Sequence, residues 1–167
     1  MSIKNSKPSS KSRFKQGYFN PSNPQKYMGD LSNIIYRSSW ELRWMNYCDT
    51  NNAVLEWASE PIQIPYFNSI VDKVQNYYVD FLIKLQTEEG VKIKIVEIKP
   101  KAQLPEEYGG KKPILEGERW TLKKAKTYNA QLRTYITNKE KFKAARSFAE
   151  ERGWVFAIVT EDDLFRN

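Results

Sequence analysis

Asn76-Tyr77-Tyr78-Val79-Asp80-Phe81-Leu82-Ile83-Lys84-Leu85 and Val91-Lys92-Ile93-Lys94-Ile95-Val96-Glu97-Ile98-Lys99 decide how this chain is read. Both are rich in β-branched and aromatic residues, and they read as two strands joined across Gln86–Gly90. Side chains alternate between the faces of a strand, so Glu97 and Lys99 prolong the face of Val91, Ile93 and Ile95. A carboxylate at the end of an apolar face is costly unless a cation or a metal meets it. Asp80, between Val79 and Phe81, is placed in a similar way. If the two strands are neighbours, Asp80 and Glu97 converge on one ion with Lys99 beside them. Two hard oxygen donors suit Mg²⁺, with Mn²⁺ as a substitute, and leave room for water and a phosphate oxygen. Such an ion activates water, while a nearby lysine stabilises the hydroxide or the phosphate oxygens. The pattern points to metal-assisted phosphodiester hydrolysis.

Composition narrows the chemistry further. The 167 residues contain no histidine and one cysteine, Cys48. That excludes Ser-His-Asp and Cys-His catalysis, histidine-ligated zinc and any internal disulfide. Cys48 lies in an aromatic, helical stretch and reads as a buried thiol. The net charge of +7 is uneven. Lys4, Lys7, Lys11, Arg13, Lys15 and Lys26 face only Asp30 in the first thirty residues, and a second basic concentration runs from Lys123 to Arg152. Surplus positive charge suits a polyanion such as DNA, although a solvated basic surface carries the same signature. No apolar run approaches a membrane span and no hydrophobic leader opens the sequence, so the expectation is a soluble, cytoplasmic protein.

Working outward, residues 1–30 read as an extended basic arm with aromatic anchors at Tyr18, Phe19 and Tyr27, and residues 31–167 as a single domain. Ser38 and Glu41 fit a capping box that starts a helix fading near Asp49–Asn52. Val54–Trp57 and Ile62–Tyr66 read as short strands, and Asn68–Gln75 as a turn. Residues 100–119 form a long loop punctuated by Pro105, Gly109-Gly110 and Pro113, where Tyr108, Lys111 and Lys112 are candidates for base stacking and phosphate contact. Two helices follow, about Thr121–Thr137 and Lys139–Arg152, with Gly153 ending the second. Gln131 and Lys124 on the first are candidates to approach a phosphate, and Gln131 counts among the candidate catalytic residues. Trp154–Thr160 is an apolar strand of the kind buried in a sheet centre. The fold class is α/β with a mixed sheet.

Taken jointly, Arg37-Ser38-Ser39-Trp40-Glu41-Leu42, Trp57-Ala58-Ser59-Glu60-Pro61, Tyr78-Val79-Asp80-Phe81, Glu97-Ile98-Lys99-Pro100 and Trp154–Glu161 resemble the PD-(D/E)xK nuclease superfamily. The branch is the one containing the N-terminal domain of the transposon endonuclease TnsA, and the resemblance covers about residues 30–165. It implies a restriction-endonuclease-like fold, a mixed central sheet flanked by helices, with the site where strands diverge. It also implies that Glu41, Asp80 and Glu97 bind the metal and that Lys99 assists. Val79 departs from the superfamily's proline, a backbone position and not a ligand. The stretch Gly17–Tyr27 followed by Asn33–Glu41 is similar to the head completion nucleases of T-even-like tailed bacteriophages. That likeness implies action on packaged DNA, the head or the portal region, in the host cytoplasm or the virion, by single copies or a homodimer. A structural head protein that keeps the fold and binds DNA or portal without cutting is the alternative.

Overall fold

The computed structural model describes residues 15–115 and 121–165, together with Lys7 and Gly117. Expectations resting on Lys4, Lys11 and Arg13 lie outside the described residues. In chain order the elements are β1 (Gly17–Tyr18), β2 (Ile35–Tyr36), α1 (Ser39–Thr50), β3 (Val54–Ser59), β4 (Gln63–Asn68), β5 (Lys73–Tyr78), β6 (Phe81–Thr87), β7 (Gly90–Ile98), α2 (Leu122–Glu150), β8 (Val155–Val159) and α3 (Glu161–Leu164). No helix among the described residues is long and apolar enough to cross a membrane.

The central sheet has the order β3-β6-β7-β8. Its first three strands are antiparallel, whereas β7 and β8 run parallel. A parallel pair needs a crossover, and α2 supplies it. The sheet is therefore mixed, with helices on both faces, the architecture of a restriction-endonuclease-like fold. On one face Met45 and Cys48 of α1 and Leu164 of α3 pack with Val54, Trp57, Phe81, Ile83, Val96 and Val159. On the other, Ala145 and Ala149 of α2 pack with Ile64, Tyr66, Tyr77, Val79 and Ile95. Val96 and Ile95 thus divide between the two cores as strand alternation requires. In β3 the register slips between Val54 and Glu56. The bulge lets Val54 and Trp57, three residues apart, enter the same core.

Four expectations are corrected. The strand expected over Asn76–Leu85 breaks at Val79-Asp80: β5 pairs with β4 in a separate two-stranded ribbon, and β6 joins the central sheet. The turn expected over Asn68–Gln75 shrinks, because Asn68 pairs with Lys73 and the strands continue on both sides. The two expected helices are one of 29 residues. Neither Pro nor Gly interrupts it, and the Asn138 amide donates to the Gln103 carbonyl at 2.9 Å instead of competing with the helix backbone. Finally, β8 is an edge strand and not a central one.

The segment after β7 is partly ordered by packing. Leu104 is buried, and a Cβ at Gly110 would lie 1.7 Å from the Leu104 carbonyl oxygen, so only glycine lets the chain turn so tightly here. Tyr108 is not presented for base stacking: its ring meets Phe142 and Phe156 edge-on, and the Arg146 guanidinium covers it at 5.0 Å. Of the N-terminal aromatics, Phe19 and Tyr27 pack edge-on against Trp57, while Tyr18 is exposed.

Candidate active site

The antiparallel register of β6 and β7 ends at Phe81 opposite Val96. One residue further, the chain leaves β6 at Asp80, and Asp80 and Glu97 face each other on the side covered by α2. The Asp80 carboxylate is fixed by the Ile98 N–H, which donates to Oδ2 at 2.7 Å. Glu97 is buried. Its Oε1 meets the Lys99 Nζ at 2.8 Å, and its Oε2 accepts from the Tyr77 hydroxyl at 2.7 Å. These groups line a pocket of about 230 Å³ with Arg37, Glu41, Glu60, Asn76 and Lys141.

Glu41 reaches the same pocket from the first turn of α1. Ser38 caps the helix by accepting from the Glu41 N–H at 3.1 Å. In a capping box the N3 carboxylate would return to the N-cap amide. Here Glu41 Oε2 instead accepts from the Arg37 N–H at 2.8 Å, and Oε1 from the Ser38 hydroxyl at 3.1 Å. The helix start and the pocket therefore share one carboxylate. Bound in this way, Glu41 does not complete a triad: among the described residues no three carboxylate or thiol groups stand together as a ready metal cage.

Burial and neighbouring charge shift the ionisable groups of the pocket. Withdrawal from water, with Glu97 beside it, pushes the Asp80 carboxyl well above the usual carboxylate range, against the pull of Lys99 and the Ile98 amide. Burial raises Glu41 too, opposed by the hydrogen bonds from Arg37 and Ser38. For Lys99 burial acts to remove the proton, but Glu97 and Asp80 outweigh it and hold the ammonium above its ordinary value. The pocket's carboxylates, Glu41, Glu60, Asp80 and Glu97, outnumber its cations, Arg37, Lys99 and Lys141, and the donors are all hard oxygens. That set fits Mg²⁺ or Mn²⁺ and does not fit a soft metal.

Gln131 does not join this group. It is exposed on α2, ten residues before Lys141, where it lines separate grooves with Lys111 and Lys112 and with Lys123 and Lys124. Lys141 takes the helix's place at the pocket, its ammonium 5.4 Å from the Tyr77 ring centre and 5.7 Å from that of Tyr66. Sequence reasoning misses Lys141 because the single long helix changes which turn reaches the sheet. It misses Tyr77 because β5 and β7 belong to different sheets. The rim pair of Arg37 and Glu60, joined by two hydrogen bonds of 3.1 Å, has a backbone signal visible only in three dimensions. Glu60 holds φ at 45° while its N–H donates to the Asp80 carbonyl at 2.8 Å. A left-handed non-glycine residue beside a pocket is the kind of strain that collects at functional sites.

Comparison with known proteins gives the family. The TnsA-like endonuclease N-terminal family matches residues 51–161, a span that holds Asp80, Glu97 and Lys99. The chain is similar to the head completion nuclease of Enterobacteria phage T4, with 34 % identity over 148 residues, covering 89 % of this chain and 92 % of that one. No solved structure matches. On the family match, the relative and the mixed sheet that carries the Asp, Glu and Lys, the chain belongs to the TnsA-like endonuclease N-terminal family.

Proposed function

We propose that this protein is a Mg²⁺-dependent DNA endonuclease of a tailed bacteriophage, with Mn²⁺ as a competent substitute, acting in head completion. The observation that carries the reading is the convergence of Asp80, Glu97 and Lys99 at the divergence of β6 and β7. Asp80 and Glu97 would hold the metal, and Glu41, now bonded to the Arg37 amide, would be the third candidate ligand. When bound there, such an ion would supply an acidified water and would neutralise charge on the scissile phosphate. Lys99, held beside Glu97, offers its ammonium to the phosphate oxygens, and Tyr77 keeps Glu97 turned toward the pocket. Gln131 has no part in this scheme, since it lines other grooves. The likeness to the phage T4 head completion nuclease supports placing the activity at the filled head or portal region, during assembly in the host cytoplasm or in the virion. The lysines near the start of the chain add attraction to the DNA backbone, and a homodimer would bring two such pockets to one duplex.

Incubation of purified protein with supercoiled plasmid tests the reading. Nicking is expected with Mg²⁺ and not with EDTA, and a loss of at least about a hundredfold in each of Asp80→Asn, Glu97→Gln and Lys99→Met. Circular dichroism checks that each variant folds. Cutting that survives in all three folded variants would refute the assignment.

A further inference from the structure

The longest helix carries a second feature that the pocket chemistry leaves unused. Between Leu122 and Phe142 the sequence of α2 has six cations and a single acid, Glu140. The Glu140 carboxylate is turned to the Ser69 amide, and Lys139 pairs with Glu107. The buried residues of α2 begin only at Tyr135, so its first turns stand against solvent. With about 100° per residue, Lys123 and Lys141 point in the same direction, about five turns apart. Thr127, Ala130, Thr134 and Thr137 lie within about 40° of that line, and Lys126 and Arg133 within about 80°. The line is therefore cationic and small: lysine or arginine on its flank, threonine and alanine along its middle. Its far end, Lys123, is exposed and borders a groove with Ile114 and Leu115, and its near end, Lys141, lines the catalytic pocket. At about 1.5 Å per residue it spans about 27 Å, the length of about eight phosphate steps at about 3.4 Å each.

We propose that Lys123, Lys126 and Arg133 form a rail that seats the phosphate backbone of duplex DNA and leads it to Lys141 and the pocket. The small side chains between the cations let a backbone lie close along the helix. The positive charge attracts phosphates regardless of base sequence, through release of condensed counterions. Arg133 also borders a groove shared with Asn68, Ile70 and Val71 at the tip of the β4–β5 ribbon, so the seated strand passes between helix and ribbon on its way to the pocket. The proposal deepens the nuclease reading and rests on it only for where the rail ends.

Binding of the full-length Asp80→Asn chain to a fluorescent 30-base-pair duplex in EDTA, across a potassium chloride series, tests the rail without any cutting. Replacing Lys123, Lys126 and Arg133 together by glutamine should flatten the slope of log K against log salt by about 2.7, at about 0.9 for each phosphate that is no longer neutralised. Lys143→Gln, an exposed lysine about 200° round the same helix from Lys141, should leave the slope unchanged. A melting curve confirms that the triple variant is folded. An unchanged slope in the folded triple variant overturns the rail, as it would if the stripe served an acidic protein instead. So does an equal effect of Lys143→Gln, which would reduce the stripe to undirected charge. Because the assay reads binding alone, the rail can stand where plasmid cutting fails, and cutting can stand where the rail falls.

Discussion

Asp80 is held in a state that its own folding disfavours. Burial and Glu97 raise its carboxyl above the unfolded value, so the folded protein binds this proton more tightly than the unfolded chain does. The sign follows from linkage: the group's contribution is fully present below the ordinary Asp range and is lost as pH rises through the raised value. Asp80→Asn removes the ionisation while keeping an acceptor for the Ile98 amide. Without divalent metal it should raise the melting temperature at neutral pH by about 3 °C, with the gain shrinking as pH falls from the raised value and gone below about pH 4. Added Mg²⁺ should stabilise the parent chain and not the variant, and calorimetry at the two pH values with and without the ion checks both statements. Tyr77 makes the complementary case. Phe at this position keeps the ring packing and removes the 2.7 Å bond to Glu97. Plasmid nicking should fall roughly tenfold or more, and the melting temperature should drop by several degrees as well, because a hydrogen bond to a charged group is worth about 1.5–3 kcal/mol.

Among the elements, α1 and α2 show what sequence pattern can and cannot deliver. Ser38 and the helix it starts are legible, because an N-cap is a local choice made within four residues. That the partner carboxylate would reach the Arg37 amide and face the pocket is not local, and no spacing rule gives it. Ser38→Ala should cost about 1 kcal/mol in a denaturant titration. For α2, propensity suggests two helices about Asn138, but a continuous helix lets that side chain bond Gln103 while Phe142, Ala145 and Ala149 stay in one buried stripe. Tertiary packing wins over a weak local signal. Phe142→Ala should cost about 3–5 kcal/mol, read from the same titration, because the vacated volume lies between Tyr108 and Phe156.

Across the whole molecule, alternation along β7 is enough to put Glu97 and Lys99 on one face, and the antiparallel register brings Asp80 opposite. Those three are legible because a strand's period is 2 and its neighbour follows a short hairpin. The break at Val79-Asp80 is not, since nothing in the pattern marks where one run of β residues changes sheets. Tyr77 and Lys141 stay hidden for the same reason: each depends on how separate layers stack. Cys48 gives a global readout of that stacking. It has no exposed surface, and burial raises its thiol far above the reactive range. Native protein should resist iodoacetamide, and labelling should follow the fraction unfolded as urea rises; fast labelling in buffer would contradict the packing of α1.

The change of sheet at Val79-Asp80 leaves the β4–β5 hairpin outside the ladder that aligns the two carboxylates. Evolution, or an engineer, can therefore lengthen or exchange the tip between Asn68 and Lys73, while Tyr77 at the hairpin's base keeps its hold on Glu97. Substrate preference becomes free to diverge among relatives while the hydrolytic machinery stays put.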